Sequence, residues 1–174
     1  MIPVSASSCP TSFVPDLEEN FNHALKLLDD REYDQAIAIL REGAALGHAN
    51  SMGLLGECYY LGDIVAQDKP TGIQLLQQAG NKGCLNALSR LAKCYFSGEG
   101  VAKDEVLARK LFQKVADGGN TYALCKLGYC YAHGTGGPID PRHAGRLFQL
   151  AKDLGNAWGD NLHTLLIEDR LFAL

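Results

Sequence analysis

The chain has 174 residues, 47% of them hydrophobic and 21% charged, with a formal net charge of −4, proportions ordinary for one globular unit. Lysine and arginine are scattered rather than gathered into the basic stripe that phosphate-backbone binding requires, so nucleic acid is not an expected partner. No segment approaches the ~20 apolar residues that span a bilayer, so no membrane insertion is expected. The opening residues MIPVSASSCPTSFVPD lack the basic start and apolar run of a secretory signal, which makes the cytoplasm the expected compartment.

In chain order, residues 1–16 carry Pro3, Pro10 and Pro15 among four serines, a composition that holds no helix and reads as a flexible tail. Residues 17–174 read as a single domain. Its first part, 17–46, contains FNHALKLLDDREYDQAIAILREGAAL, an apolar pattern of two helices in which Tyr33, Ala36 and Leu40 share one face.

From there Gly47, Gly83, Gly119 and Gly155 recur at a spacing of 36, and a fixed period of this length marks a repeat architecture. Three units follow, 47–82, 83–118 and 119–154. In each, Leu55, Leu91 or Leu127 precedes Tyr59, Tyr95 or Tyr131 by four residues, with small Gly56, Ala92 or Gly128 between them. That spacing predicts a first helix, A, packed closely on its neighbours. Gly62, Gly98 and Gly134 stand where helix A ends in a left-handed residue. Asp68, Asp104 and Asp140 stand as N-caps of a second helix, B, and Pro141 occupies the first helical position, which proline tolerates. The inner face of B is set by Gly72, Ala108 and Ala144, then by Leu75 and Leu76, Leu111 and Phe112, Leu147 and Phe148. The turn between the two helices of 17–46 is about four residues shorter than in these units. Residues 155–174 break the pattern, with His163 and Thr164 at the leucine and small positions; no B helix follows, so they are expected to form a lone capping helix.

The pattern LGxCY, then Gly, then VxxD or a variant, then a small residue, then LF or LL resembles the Sel-1-like repeat family over residues 47–155. The family is related to tetratricopeptide repeats, and 17–46 is read as a tetratricopeptide-like cap. The resemblance implies an all-α fold, a right-handed α-solenoid of about nine antiparallel helices whose A helices line a concave groove. It also implies an adaptor that binds proteins.

Six cysteines invite a disulfide or zinc reading, because secreted bacterial relatives of this family staple each helix hairpin with a cysteine pair. Cys58, Cys94 and Cys130 instead occupy one equivalent position of helix A, about 10 Å or more apart at helix packing distances, beyond the ~7 Å Cα limit for a bridge. They are expected to be small buried apolar residues. Cys9, Cys84 and Cys125 form no CxxC, so no metal site is predicted. The histidines His23, His48, His133, His143 and His163 show neither HExxH nor an i, i+4 pair, and no serine sits in a nucleophile elbow. The glycine clusters at 98–100 and 134–137 follow helices rather than strands and lack the Lys-Ser/Thr ending of a phosphate loop. No catalytic residue and no cofactor are predicted, and the chain is not expected to be an enzyme.

Residues on the side of helix A opposite the Leu and Tyr positions are expected to face the groove. This projection exposes Asn50, Gly53, Glu57 and Tyr60, then Asn86, Ser89, Lys93 and Phe96, then Tyr122, Cys125, Tyr129 and Ala132, with Trp158 on the capping helix. Aromatic rings anchor interfaces with large area and little entropy loss, and asparagine amides can bind the backbone of an extended peptide. The site predicted for a partner protein or peptide is therefore Asn50, Glu57, Tyr60, Asn86, Lys93, Phe96, Tyr122, Tyr129 and Trp158. On this projection, Tyr60→Ala with Phe96→Ala removes partner capture and leaves the fold intact. The functional expectation is a protein-binding scaffold; the alternative is an inhibitor or immunity-type protein that neutralises a cognate toxin or enzyme. Leu162, Leu165, Leu166 and Phe172 leave room for a homodimer through the C-terminal helix.

Overall fold

A computed structural model of the chain describes residues 16–157 and 159. Among the described residues there are eight helices of 13 residues and no strand: α1 (Leu17–Asp29), α2 (Tyr33–Ala45), α3 (Ala49–Leu61), α4 (Lys69–Asn81), α5 (Leu85–Ser97), α6 (Glu105–Asp117), α7 (Thr121–His133) and α8 (Pro141–Asp153). Ala157 and Gly159 are helical as well. Most of the expected 1–16 tail and of the 155–174 cap lies outside the described residues, and with it the ninth helix, Trp158 and the dimer surface.

Helix ends follow from local chemistry. Asp16, Asp68, Asp104, Asn120 and Asp140 each accept a backbone N–H of the first helical turn, satisfying donors that the helix itself leaves unpaired. The seven-residue connections of the full units are closed by one recurring bond. The N–H of the capping aspartate donates to the carbonyl of the helix A tyrosine, Asp68 to Tyr59 at 2.8 Å, Asp104 to Tyr95 at 2.9 Å and Asp140 to Tyr131 at 2.8 Å. Gly62, Gly98 and Gly134 end the A helices at φ between 70° and 77°, where a Cβ is disfavoured. The short α1–α2 connection places Arg31 at φ 64° instead.

The glycines that mark the repeat follow the B helices. Gly83, Gly119 and Gly155 are left-handed, yet an added Cβ would meet nothing within 4 Å; backbone conformation, not space, fixes the 36-residue period.

Antiparallel pairs α1·α2, α3·α4, α5·α6 and α7·α8 stack in order, each helix packing on its sequence neighbours, while α3 also touches α5 directly. A curved stack brings the helices of its inner wall closest together, so this contact puts the A helices of the first two full units, α3 and α5, on the inner side of the stack. The core runs between the two rows. Leu40, Leu76, Phe112 and Phe148 of the B helices and Leu127 of α7 are at most 1% exposed. Small residues set the spacing: a Cβ on Gly72 would lie 2.8 Å from the Gly56 carbonyl oxygen and from the Tyr60 backbone nitrogen, so α3 and α4 approach backbone to backbone. In the later units Ala108 and Ala144 take that place, both fully buried. Tyr59, Tyr95 and Tyr131 are half-buried rather than core residues. The hydroxyls of the first two point toward the preceding unit, where Arg41 donates to Tyr59 at 2.9 Å and Gln77 to Tyr95 at 3.2 Å.

Candidate partner-binding face

At 100° per residue, helix A positions 50, 54, 57 and 61 fall within about 60° of one another, and their equivalents in α5 and α7 extend the same stripe. Asn50, Leu54 and Glu57 of α3, Arg90 and Lys93 of α5, and Tyr122 and Lys126 of α7 are half-buried, while Asn86, Leu61 and Tyr129 are exposed. The expected positions Asn50, Glu57, Asn86, Lys93, Tyr122 and Tyr129 therefore lie together on this face.

The projection requires one correction of substance. Tyr60 is only 5% exposed and forms no part of the open surface. It sits about 80° around the helix from position 50, and the connection of the next unit covers it; a Cβ on Gly100 would meet its Cε2 at 3.4 Å. Lys69 and Arg90 flank the ring at 5.6 and 5.7 Å from its centroid, and burial drives the phenol well above its ordinary range. Gly53, Cys125 and Ala132 are buried for the same angular reason. Phe96, at the position equivalent to Tyr60, is half-buried and bridges core and face, with Phe112 and Tyr129 both edge-on at 6.2 Å between centroids.

The sequence projection passed over the position of Leu54, Arg90 and Lys126. Its signal was available as a spacing of four from Asn50, Asn86 and Tyr122. Arg90 and Lys126 change the electrostatics of the face. Arg90 Nε donates to Glu57 Oε1 at 2.9 Å, and its Nη2 closes on the same oxygen, linking α5 to α3. Lys93 lies 4.4 Å above the Tyr122 ring, and Lys126 stands 5.5 Å from Tyr122 and 6.0 Å from Phe96. Burial, joined by the neighbouring charges of Arg90 and Lys126, lowers the Lys93 ammonium below the ordinary lysine range despite Glu57. Tyr129 stacks on His133 at 4.1 Å.

Towards the N-terminal end the face becomes apolar. Phe21, Leu25, Leu54, Gly53 and Cys84 line a cavity of about 250 Å³ rimmed by Asn50, Glu57 and Asn86. The N-caps of α3 and α5 are His48 and Cys84, so Asn50 and Asn86 are not caps. Neither amide is engaged in a hydrogen bond among the described residues, which leaves both able to meet a peptide backbone.

The thiols carry a prediction of their own. Cys58, Cys84, Cys94, Cys125 and Cys130 are free and buried, and burial raises the Cys130 thiol to about 11. Only about one such thiol in a thousand is ionised at pH 8, and the thiolate is the nucleophile. Iodoacetamide at pH 8 is expected to leave Cys130 unmodified in the native protein and to alkylate it in denaturant, as read by mass spectrometry. Rapid native alkylation of Cys130 would contradict the packing of α7.

Among the described residues, no helix is long and apolar enough to cross a membrane, and no group of three or more His, Cys, Asp or Glu is placed to hold a metal ion.

The sequence profile of the Sel1 repeat matches residues 49–84, 85–120 and 121–156. Comparison with curated proteins gives no match. Among solved structures, the chain is similar to a Sel1 repeat protein from Oxalobacter formigenes, with 27% identity, a TM-score of 0.78, and 86% of this chain and 45% of that one covered. It is also similar to a protective antigen of uropathogenic Escherichia coli with an SLR fold, with 24% identity, a TM-score of 0.78, and coverage of 86% and 33%. A third is cysteine rich protein B of Helicobacter pylori, with 22% identity, a TM-score of 0.57, and coverage of 71% and 93%. The chain thus spans less than half the length of the first two. The likeness fixes the fold as an α-solenoid.

Proposed function

The chain belongs to the Sel1 repeat family, and from that premise we propose that it is a non-enzymatic adaptor holding an extended segment or helix of a partner protein in the groove of α3, α5 and α7. Repeats of this family generally mediate protein–protein interactions. The observation that carries the reading here is the continuous stripe from Asn50 to Tyr129, in which an amide recurs at Asn50 and Asn86 and a cation at Arg90 and Lys126, with Tyr122 and Tyr129 on α7, while the core lies behind them. Stacked repeats present such a surface as one extended concave wall, and Tyr129 and Phe96 supply the rigid rings on which interfaces concentrate their energy.

Photocrosslinking tests the assignment. A photoreactive residue placed at Tyr129 or Asn86 in the source cell is expected to yield a discrete adduct with one partner, and the same group at the convex, exposed Gln78 or Lys110 none. Adducts of equal yield from both walls would remove the groove from the account.

A further inference from the structure

We infer that the outer wall formed by α2, α4, α6 and α8 is the interface of a two-fold symmetric dimer, its occupant being the same wall of a second copy with the order of units reversed.

The repeat supplies its own comparison. The four helices begin 36 residues apart, so positions 34, 70, 106 and 142, and those four and eight residues after them, are equivalent. They form one stripe along each helix, and all are exposed. Equivalent positions meet the same surroundings, so a difference among them is not demanded by the packing of the unit. On α2 the stripe carries Asp34 and Glu42, and on α4 Gln74 and Gln78. On α6 it carries Lys110 and Lys114, and on α8 Arg142 and Arg146. Charge along the wall therefore runs from acidic through neutral to basic.

These six charged side chains make no ion pair or side-chain hydrogen bond among the described residues. Groups of opposite sign on the same helices are engaged elsewhere. Arg41 donates to Tyr59, Glu105 pairs with Lys103, and Asp117 and Asp153 accept from Gln113 and Gln149. Like charges one turn apart on α6 and again on α8 repel each other, and nothing in the described chain compensates them.

A two-fold axis parallel to the helices, between α4 and α6, lays α2 of each copy on α8 of the other and α4 on α6, level with level. Asp34 then faces Arg142, with Glu42 one turn from Arg146, pairs that guanidinium forks hold in charge-assisted bonds. The amide oxygens of Gln74 and Gln78 face Lys110 and Lys114, and symmetry makes every contact twice. Apolar groups match in the same register. Leu46 and Leu154, each 54% exposed, come opposite one another, and Val106, 52% exposed, comes opposite Pro70. Four helices about 20 Å long at about 10 Å spacing present about 800 Å², the area a stable dimer buries on each partner. Two walls with the same order of units would set like charge on like, so the charges select the reversed order. An anionic membrane or a polynucleotide would suit α6 and α8 but be repelled by α2; the second copy satisfies both ends. The groove of each copy stays uncovered, so a crosslink from the outer wall joins two copies and captures no groove partner.

Sedimentation velocity on the full chain tests the interface. At low salt the species is expected to have twice the mass of one chain, and raising salt from about 50 to 500 mM is expected to weaken association at least tenfold by screening. Arg142→Glu with Arg146→Glu, and separately Asp34→Arg with Glu42→Arg, are each expected to be monomeric with unchanged helical circular dichroism. An equimolar mixture of the two is expected to restore the dimer, since each copy carries the charge that the other lacks. Should a variant fail to fold, the wild-type chain still decides the matter: a monomer at low salt and about 100 µM would overturn the interface, as would a dimer indifferent to salt. A dimer that both variants leave intact would do the same. Mass that grows past the dimer with concentration would overturn the two-fold arrangement. A monomer that co-sediments with phosphatidylserine vesicles would overturn the second copy in favour of an anionic surface.

Discussion

Tyr60→Ala is expected to lower the free energy of unfolding by about 3–5 kcal/mol, the usual cost of removing a large buried aromatic side chain, and to leave groove binding unchanged in whatever fraction remains folded. The reason is position. Tyr60 is 5% exposed, wedged between α4 and the connection of the next unit, with Gly100 against its edge and Lys69 and Arg90 beside its ring. Its loss opens a cavity at the junction of the first and second full units, where a solenoid depends on its nearest-neighbour interface. The sequence projection predicts the reverse, a variant of native stability that no longer captures its partner. Denaturant unfolding followed by circular dichroism separates the two: a midpoint within error of wild type would restore Tyr60 to the groove.

The second large effect concerns Phe148, fully buried in α8. Phe148→Ala is expected to cost about 3–5 kcal/mol. The ring lies on Gly128 of α7, where an added Cβ would stand 2.8 Å from its Cδ1 and 3.0 Å from its Cζ. Gly128→Ala is therefore expected to destabilise the protein by about 1–3 kcal/mol through overpacking, although alanine is the better helix former by ~1 kcal/mol. The two substitutions are coupled. In a Phe148→Leu background the alanine has room, so Gly128→Ala is expected to become neutral or stabilising, giving a cycle energy of about 1 kcal/mol or more. Additive costs in that cycle would mean that α7 and α8 do not meet as small residue on large.

These cases mark how far the sequence could be read. Helix ends were legible because their causes are local: a left-handed glycine at Gly98 or Gly134, an aspartate accepting from the first turn at Asp104 or Asp140, a missing four residues between α1 and α2. Each acts within a few residues of itself, and the glycine and the aspartate repeat every 36. The groove was legible only in part. Asn50, Glu57, Asn86, Lys93, Tyr122 and Tyr129 follow from helical angle, but a stripe drawn through positions 50, 53, 57 and 60 drifts about 80° toward the neighbouring helix by its end. That drift drew in Tyr60 and passed over Arg90 and Lys126. What covers Tyr60 is the next unit's connection, a contact between residues 40 positions apart, and no local pattern encodes it. The pairing of Arg90 with Glu57 across 33 positions is hidden from the sequence in the same way.

The central claim is that the wall of A helices is where the partner lies. A nitrogen–proton chemical-shift titration of the full chain with a peptide selected for binding to it tests it most directly. The account predicts that the largest shifts fall on Asn86, Arg90, Lys93, Tyr122, Lys126 and Tyr129, with outward positions of α4 and α6 such as Gln78 and Lys110 unmoved. Shifts centred on the B helices, with the groove positions silent, would contradict it.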